Sequence, residues 1–261
     1  MVSKSIQKAF TDDGMFIWDG FISQEKALSL RELTLDMADY EKRKGSAYEY
    51  PFDPSGLTQR VWNLTNKSSE FRGLLDMDEL NDMMNFIFDR PTSHQLFHLS
   101  SFQANILHPG APRQKLHIDT PFPEPIPPWP AKANSIWMLD DFTKENGATE
   151  FIRGTHTLDT KPTKMDDEDR SVEFAIGDRG SVLFTHGNLW HRAGANSSSA
   201  ARVGLLCSFA ASYMKEIASE EDQSLIINDH VIDSMSARVR SIIGVGHGLK
   251  DGSLLRHDHT E

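Results

Sequence analysis

The sequence predicts a mainly β protein with flanking α-helices, its strands closed into a sandwich or barrel. Three features carry that expectation. Residues 96–212 break into short apolar runs separated by Gly, Pro, Asn and Asp, which is the pattern of many short strands joined by turns. The residues before them, and a stretch near the C-terminus, show helical periodicity instead. At 261 residues and 38% hydrophobic content, the chain can fill one large core, so one domain covering 1–261 is expected.

Residues 1–95 read as a helical N-terminal region. Ser23 is placed to cap a helix in which Leu30, Leu33, Met37 and Tyr40 fall at helical spacing, and Gly45 is placed to end it. Leu80, Met83, Met84, Ile87 and Phe88 repeat at i, i+3, i+4, i+7 and i+8, so a second amphipathic helix is expected, with its methionines filling core space. The predicted strands then follow in order: "FHLSSFQANIL", "KLHID", "NSIWMLDDF", "EFIRG", "VEFAI", "GSVLFTH" and "RVGLLCSFA". Most are bounded by turn signals such as "HPGAP", "KENGAT" and "GDRG". "DTKPTKMDDEDRS" is polar and interrupted by proline, so it reads as a solvated loop or lid, acidic run Asp166 to Asp169 included. Residues 213–261 carry a helical pattern in "HVIDSMSARVRSIIG" and a polar tail containing His257 and His259.

Composition narrows the partner. A formal net charge of -11 disfavours nucleic acid and anionic membrane surfaces, which recruit clustered Lys and Arg. No stretch approaches the roughly 18 apolar residues of a membrane span, and "MVSKSIQKAF" lacks a signal core. The lone cysteine, Cys207, excludes an intramolecular disulfide framework and sits in an apolar run, pointing to a core thiol and a reducing, cytoplasmic setting. A small-molecule substrate is therefore expected.

The candidate chemistry starts at "QKLHID". On a strand, His117 and Asp119 share one face while Leu116 and Ile118 share the other. With eleven histidines in the chain, such a pair is weak evidence alone. The segment "GSVLFTHGNLWHRAGANSSSAARVGLL" strengthens it, because a sheet closing on itself brings His191 back to the same place. Two imidazoles and a carboxylate leave open positions on Fe(II). Zinc is the competing metal, as an open catalytic site, since the only cysteine is remote from both ligand segments. Arg202, on a predicted barrel strand, is costly to bury unless an anion meets it.

The ordered motifs "DDGMFIWDGFIS", "QKLHID", "NGATEFIRGTH", "GDRGSVLFTHGNLWH" and "HRAGANSSSAAR" resemble those of the phytanoyl-CoA dioxygenase family of Fe(II)/2-oxoglutarate oxygenases. The likeness runs from about Phe10 to Phe209. It implies a double-stranded β-helix, or jelly roll. It also implies iron at His117, Asp119 and His191, with Asn196 and Arg202 at the family's positions five and eleven residues beyond the last ligand. His186 has neither residue at those offsets, so His191 is preferred. Arg202 would meet the distal carboxylate of 2-oxoglutarate, Gln114 and Thr149 would add hydrogen bonds, and Trp137 would wall the cosubstrate pocket.

Arg60, Gln103, Phe122 and Trp129 are candidate substrate residues, the last two in a proline-rich loop that either lines the mouth or crosses the rim. The implied reaction uses O2 and 2-oxoglutarate, releases succinate and CO2, and oxidises a C–H bond of a small metabolite, expected to be a biosynthetic intermediate. Hydroxylation is the leading outcome. A protein-modifying oxygenase, a zinc or manganese cupin-like enzyme and a non-catalytic binding protein are the alternatives. The resemblance also makes a homodimer an expectation.

Overall fold

The computed structural model describes residues 1–48, 53–89, 96–169, 171–214 and 227–245. Helix α1 (Lys4–Asp13) leads into strand β1 (Met15–Trp18) and the long helix α2 (Gln24–Lys44). As expected, the Ser23 hydroxyl accepts from Lys26 N–H at the start of α2, and Gly45 closes it at φ 67°. The buried stripe of α2 runs through Ala27, Leu30, Thr34 and Ala38, whereas Tyr40 faces outward. Strand β2 (Thr58–Val61) and helices α3 (Leu64–Lys67), α4 (Ser69–Leu75) and α5 (Asp78–Ile87) complete this region. All five apolar positions predicted for the second helix are buried, Phe88 just past its end.

The barrel proper contains β3 (Phe97–Leu107), β4 (Lys132–Met138), β5 (Thr149–Ile152), β6 (Glu173–Phe174), β7 (Val182–His186), β8 (Trp190–Ala193) and β9 (Arg202–Ala211). Helix α6 (Lys164–Asp169) lies between β5 and β6, and α7 (Asp229–Asp233) and α8 (Ala237–Ile242) close the described chain. A six-stranded antiparallel sheet has the order β1-β7-β4-β9-β3-β2, and a three-stranded sheet has the order β6-β5-β8. The two sheets face each other across an internal cavity, giving the jelly roll.

Three expectations need correction. The N-terminal region is not only helical, because β1 pairs with β7 and β2 with β3, one at each edge of the large sheet. "KLHID" is not a regular strand, and its one ladder contact is a bridge between His117 and His191. The polar segment after His156 contains α6, started by reciprocal bonds between Thr163 and Asp166 in the manner of a capping box. His257 and His259 lie outside the described residues.

Packing separates two faces of each central strand. Lys132, Asn134 and Ile136 of β4, and Arg202, Gly204, Leu206 and Ser208 of β9, line the cavity. Their odd or even neighbours, among them Trp137, Cys207 and Phe209, join the main core with Phe102 and Phe184. Cys207 is fully buried there, and burial pushes its thiol pKa up, as expected for an inert core cysteine.

Candidate active site

Backbone geometry brings the three predicted ligand side chains together. His117 and His191 exchange backbone hydrogen bonds at 3.0 Å in both directions. Asp119 N–H donates to the Gly187 carbonyl at 2.8 Å, and Thr120 N–H shares that acceptor at 3.1 Å. Gly187 has to be glycine, since a Cβ would stand 2.6 Å from the Lys132 carbonyl oxygen. The turn between β7 and β8 thereby carries Asp119 towards the two imidazoles.

Each imidazole is oriented by its own backbone. His117 Nδ1 lies 2.8 Å from the Lys115 carbonyl and His191 Nδ1 2.9 Å from the Leu189 carbonyl. A carbonyl only accepts, so Nδ1 carries the proton in both rings and Nε2 keeps its lone pair. Those Nε2 atoms stand 3.8 Å (His117) and 3.4 Å (His191) from the carboxylate oxygens of Asp119, less than twice a metal–ligand bond of about 2.1 Å. One ligand atom from each residue falls within 4.8 Å of the other two.

Electrostatics agrees with that donor set. Burial, helped by the nearby His191, lowers the His117 pKa. Burial on its own would raise Asp119, but His191, His117 and the amide of Asn134 outweigh it and hold the carboxyl below its usual range. Asn134 Nδ2 donates to Asp119 Oδ2 at 2.5 Å, while its own Oδ1 accepts from Ser208. Asn134 is a residue of the candidate site that the sequence does not single out. Its signal is a polar residue on the inward parity of an otherwise apolar strand.

His186 is a structural residue. It is buried, Asn188 N–H donates to its Nδ1 at 3.0 Å, and burial lowers its pKa to about 3. His156 also has a structural role, in the short turn after β5, with Nε2 3.0 Å from the Thr11 carbonyl.

The cavity beside the triad measures about 820 Å³ and is lined by Arg60, Gln103, Gln114, Thr149 and Arg202 as well as by the three ligands. Arg60 donates to Gln103 Oε1 at 2.8 Å. Gln114 Oε1 accepts from Ala193 N–H at 2.9 Å, which pins its side chain to β8. Arg202 is 3% exposed, and its guanidinium lies 4.2 Å from the Phe142 ring centroid. Among the described residues its Nε has no hydrogen-bond partner. Burial lowers its pKa to about 9, and the neighbouring Asp140 is already engaged by Arg31, Arg179 and the Val203 amide. A buried cation of this kind calls for an anion from outside the protein.

Three predicted residues fall elsewhere. Trp137 has the parity opposite to Ile136, packs edge-on to Phe21 at 5.3 Å and donates to Ser135, so it is core and not pocket wall. Phe122 and Trp129 are not among the residues lining the cavity. Their loop is fastened outside it, through Ile126 N–H to the Asp159 carbonyl and Asn188 to the Pro127 carbonyl. Asn196 is buried and spends its amide on the Leu107 and Ala200 carbonyls, fixing the loop that leads to Arg202.

A jelly roll with two imidazoles, one carboxylate and a buried arginine converging on its cavity defines a class, the non-haem metal oxygenases that use an acidic cosubstrate. The sequence model of Phytanoyl-CoA dioxygenase (PhyH) matches residues 10–204, and the chain belongs to that family. It is an Fe(II)/2-oxoglutarate-dependent dioxygenase.

Among its relatives is dioxygenase cdmA of Talaromyces verruculosus, 29% identical over 91% of this chain and 81% of that protein. Another is the Fe(II)/2-oxoglutarate-dependent dioxygenase nvfF of Aspergillus novofumigatus, 28% identical over 71% of this chain and 64% of that one. The fold is shared with HygX of Streptomyces hygroscopicus, solved with nickel and 2-oxoglutarate bound, at a TM-score of 0.67 and 15% identity over 83% of this chain and 90% of that one. Among the described residues no helix is long and apolar enough to cross a membrane.

Proposed function

We propose that His117, Asp119 and His191 hold the Fe(II), that Arg202 binds the distal carboxylate of 2-oxoglutarate, and that the enzyme oxidises a C–H bond of a small biosynthetic metabolite. The observation that carries this is the convergence of two Nε2 lone pairs and one carboxylate, each fixed by its own hydrogen bond, on one wall of the cavity. When bound, iron and 2-oxoglutarate would activate O2 as the oxidant, with succinate and CO2 as co-products and a hydroxylated substrate as the simplest outcome.

The chain's own residues do the rest. Asn134 and the backbone carbonyls of Lys115 and Leu189 hold the ligands in place before metal arrives, so little ordering remains to be done on binding. Arg202 fixes one end of the cosubstrate with a charge-assisted pair. Thr149 and Gln114 stand along the same wall, and Arg60 and Gln103 face the remaining volume, where substrate is positioned and water displaced. HygX, which shares the fold, has been solved with hygromycin B bound as well, and this supports a small-molecule substrate. The reading includes a cytoplasmic setting, supported by the single buried thiol, and a homodimer, which sedimentation would test.

Calorimetric titration of 2-oxoglutarate into metal-loaded protein tests the cosubstrate assignment. Arg202→Gln is expected to weaken binding by about 10- to 100-fold, the worth of a charge-assisted bond, with metal affinity unchanged. Equal affinity in wild type and variant would remove Arg202 from the site.

A further inference from the structure

The segment bearing His117 has too little ladder to hold it. Beyond the His117–His191 bridge it is tied to β8 through Gln114, whose N–H donates to the Ala193 carbonyl at 3.0 Å and whose side chain accepts from Ala193 N–H. The segment is not a regular strand, and Leu116 N–H does not join β8 as its neighbour His117 N–H does. A buried or half-buried donor there needs an acceptor. It finds one in the Asp167 carboxylate of α6, at 3.1 Å to Oδ1.

The same oxygen also accepts from Arg192 Nη1. Arg192 is 3% exposed, adjoins His191, and donates through Nε to Glu150 at 2.6 Å. One carboxylate therefore touches the residue before one imidazole and the residue after the other.

The chain leading to α6 is fastened in the same sense. The Asp159 carbonyl accepts from Ile126 N–H at 2.6 Å, Lys161 N–H donates to Glu124 at 2.6 Å, and the Thr160 carbonyl accepts from Trp190 Nε1 at 3.2 Å. Residues 158–169 thus run as a strap over the proline-rich loop, β8 and the His117 segment, the three pieces that bear or adjoin the ligands.

We propose that Asp167 is a positioning residue of the metal site, acting through Leu116 and Arg192 to set the separation and orientation of His117 and His191. The proposal rests on the metal-site reading above. It assigns a role to an acidic segment that composition alone marks as a solvated loop.

The test is a Co(II) titration of the full chain, followed by the visible d–d spectrum, which reports ligand geometry as well as affinity. In wild type a spectrum should develop, and His117→Ala should abolish it. Asp167→Ala should weaken Co(II) binding by about 10- to 100-fold, the usual effect of removing a group that orients a ligand, and shift the band positions. Glu168→Ala on the same helix should match wild type. If Asp167→Ala does not fold, Asp167→Asn decides the matter, since it keeps an oxygen for Leu116 and leaves Arg192 with Glu150; an intermediate affinity and a shifted spectrum are expected. Wild-type affinity and spectrum in the folded Asp167 variant, with loss in His117→Ala, would overturn the positioning role alone. Equal binding by wild type and His117→Ala would overturn the metal-site reading beneath it.

Discussion

Asn134 shows how much of the proposed metal site lies one layer behind its candidate ligands. Its amide donates to Asp119 and its carbonyl oxygen is anchored by Ser208, so the carboxylate has one favoured orientation before any ion arrives. Asn134→Ala is expected to lower metal affinity by about 10- to 100-fold while the apo fold keeps its melting temperature within a few degrees, read by metal titration and thermal melts side by side. Unchanged affinity would mean that Asp119 is oriented by Gly187 alone. At this scale the sequence is informative about side chains with distinctive chemistry. His117, Asp119, His191 and Arg202 stand out because few residue types share their chemistry, and the fold brings all four to one cavity. Asn134 does not stand out, because an inward amide on a strand looks like any polar residue until its partner is known. Trp137 misleads for a related reason: one step along β4 turns a residue from the cavity to the core.

The elements divide according to how much local pattern they carry. Helix α5 and strand β3 are legible, one from an unbroken 3.6-residue repeat and the other from an apolar run with turn residues after it. Strands β1 and β2 are only four residues each, too short to show a period, and they are strands because β7 and β3 offer edges to pair with. The "KLHID" segment errs in the opposite direction, since it has strand-like alternation but a single bridge to pair through. Its place is set by contacts distant in sequence: Gly187 below, β8 alongside and Asp167 outside. The same holds for α6, whose capping residues Thr163 and Asp166 are visible in the sequence while the reach of Asp167 to Arg192 is not. Irregular segments such as these are where a functional site departs from local preference.

For the whole molecule, buried histidines link the fold to pH. His186 has its pKa lowered by burial to about 3, so it is neutral when folded and takes up a proton on unfolding below about pH 6.5. The unfolded state then binds more protons, and stability present above pH 6.5 is lost as pH falls towards 3, at up to about 1.4 kcal/mol per unit for this residue. Denaturant melts at pH 7 and pH 5 should differ by about 2 kcal/mol from this source, and His186→Gln should remove that share. A profile equally steep in the variant would place the proton uptake elsewhere, His117 and His156 being also lowered by burial. The net charge of -11 gives no hint of the cavity, where Arg60, Lys132 and Arg202 gather. Composition describes the outer surface, and the fold decides which charges face the ligand.

The most direct test of the central claim is the visible charge-transfer band that forms when Fe(II) and 2-oxoglutarate are added without oxygen. Wild type should develop the band, His117→Ala should lose it at any iron concentration that leaves the protein soluble, and Arg202→Ala should require far more 2-oxoglutarate to reach it. A wild-type sample with no band at saturating iron and cosubstrate, or a His117→Ala sample with the full band, would contradict the assignment of this cavity as the oxygenase site.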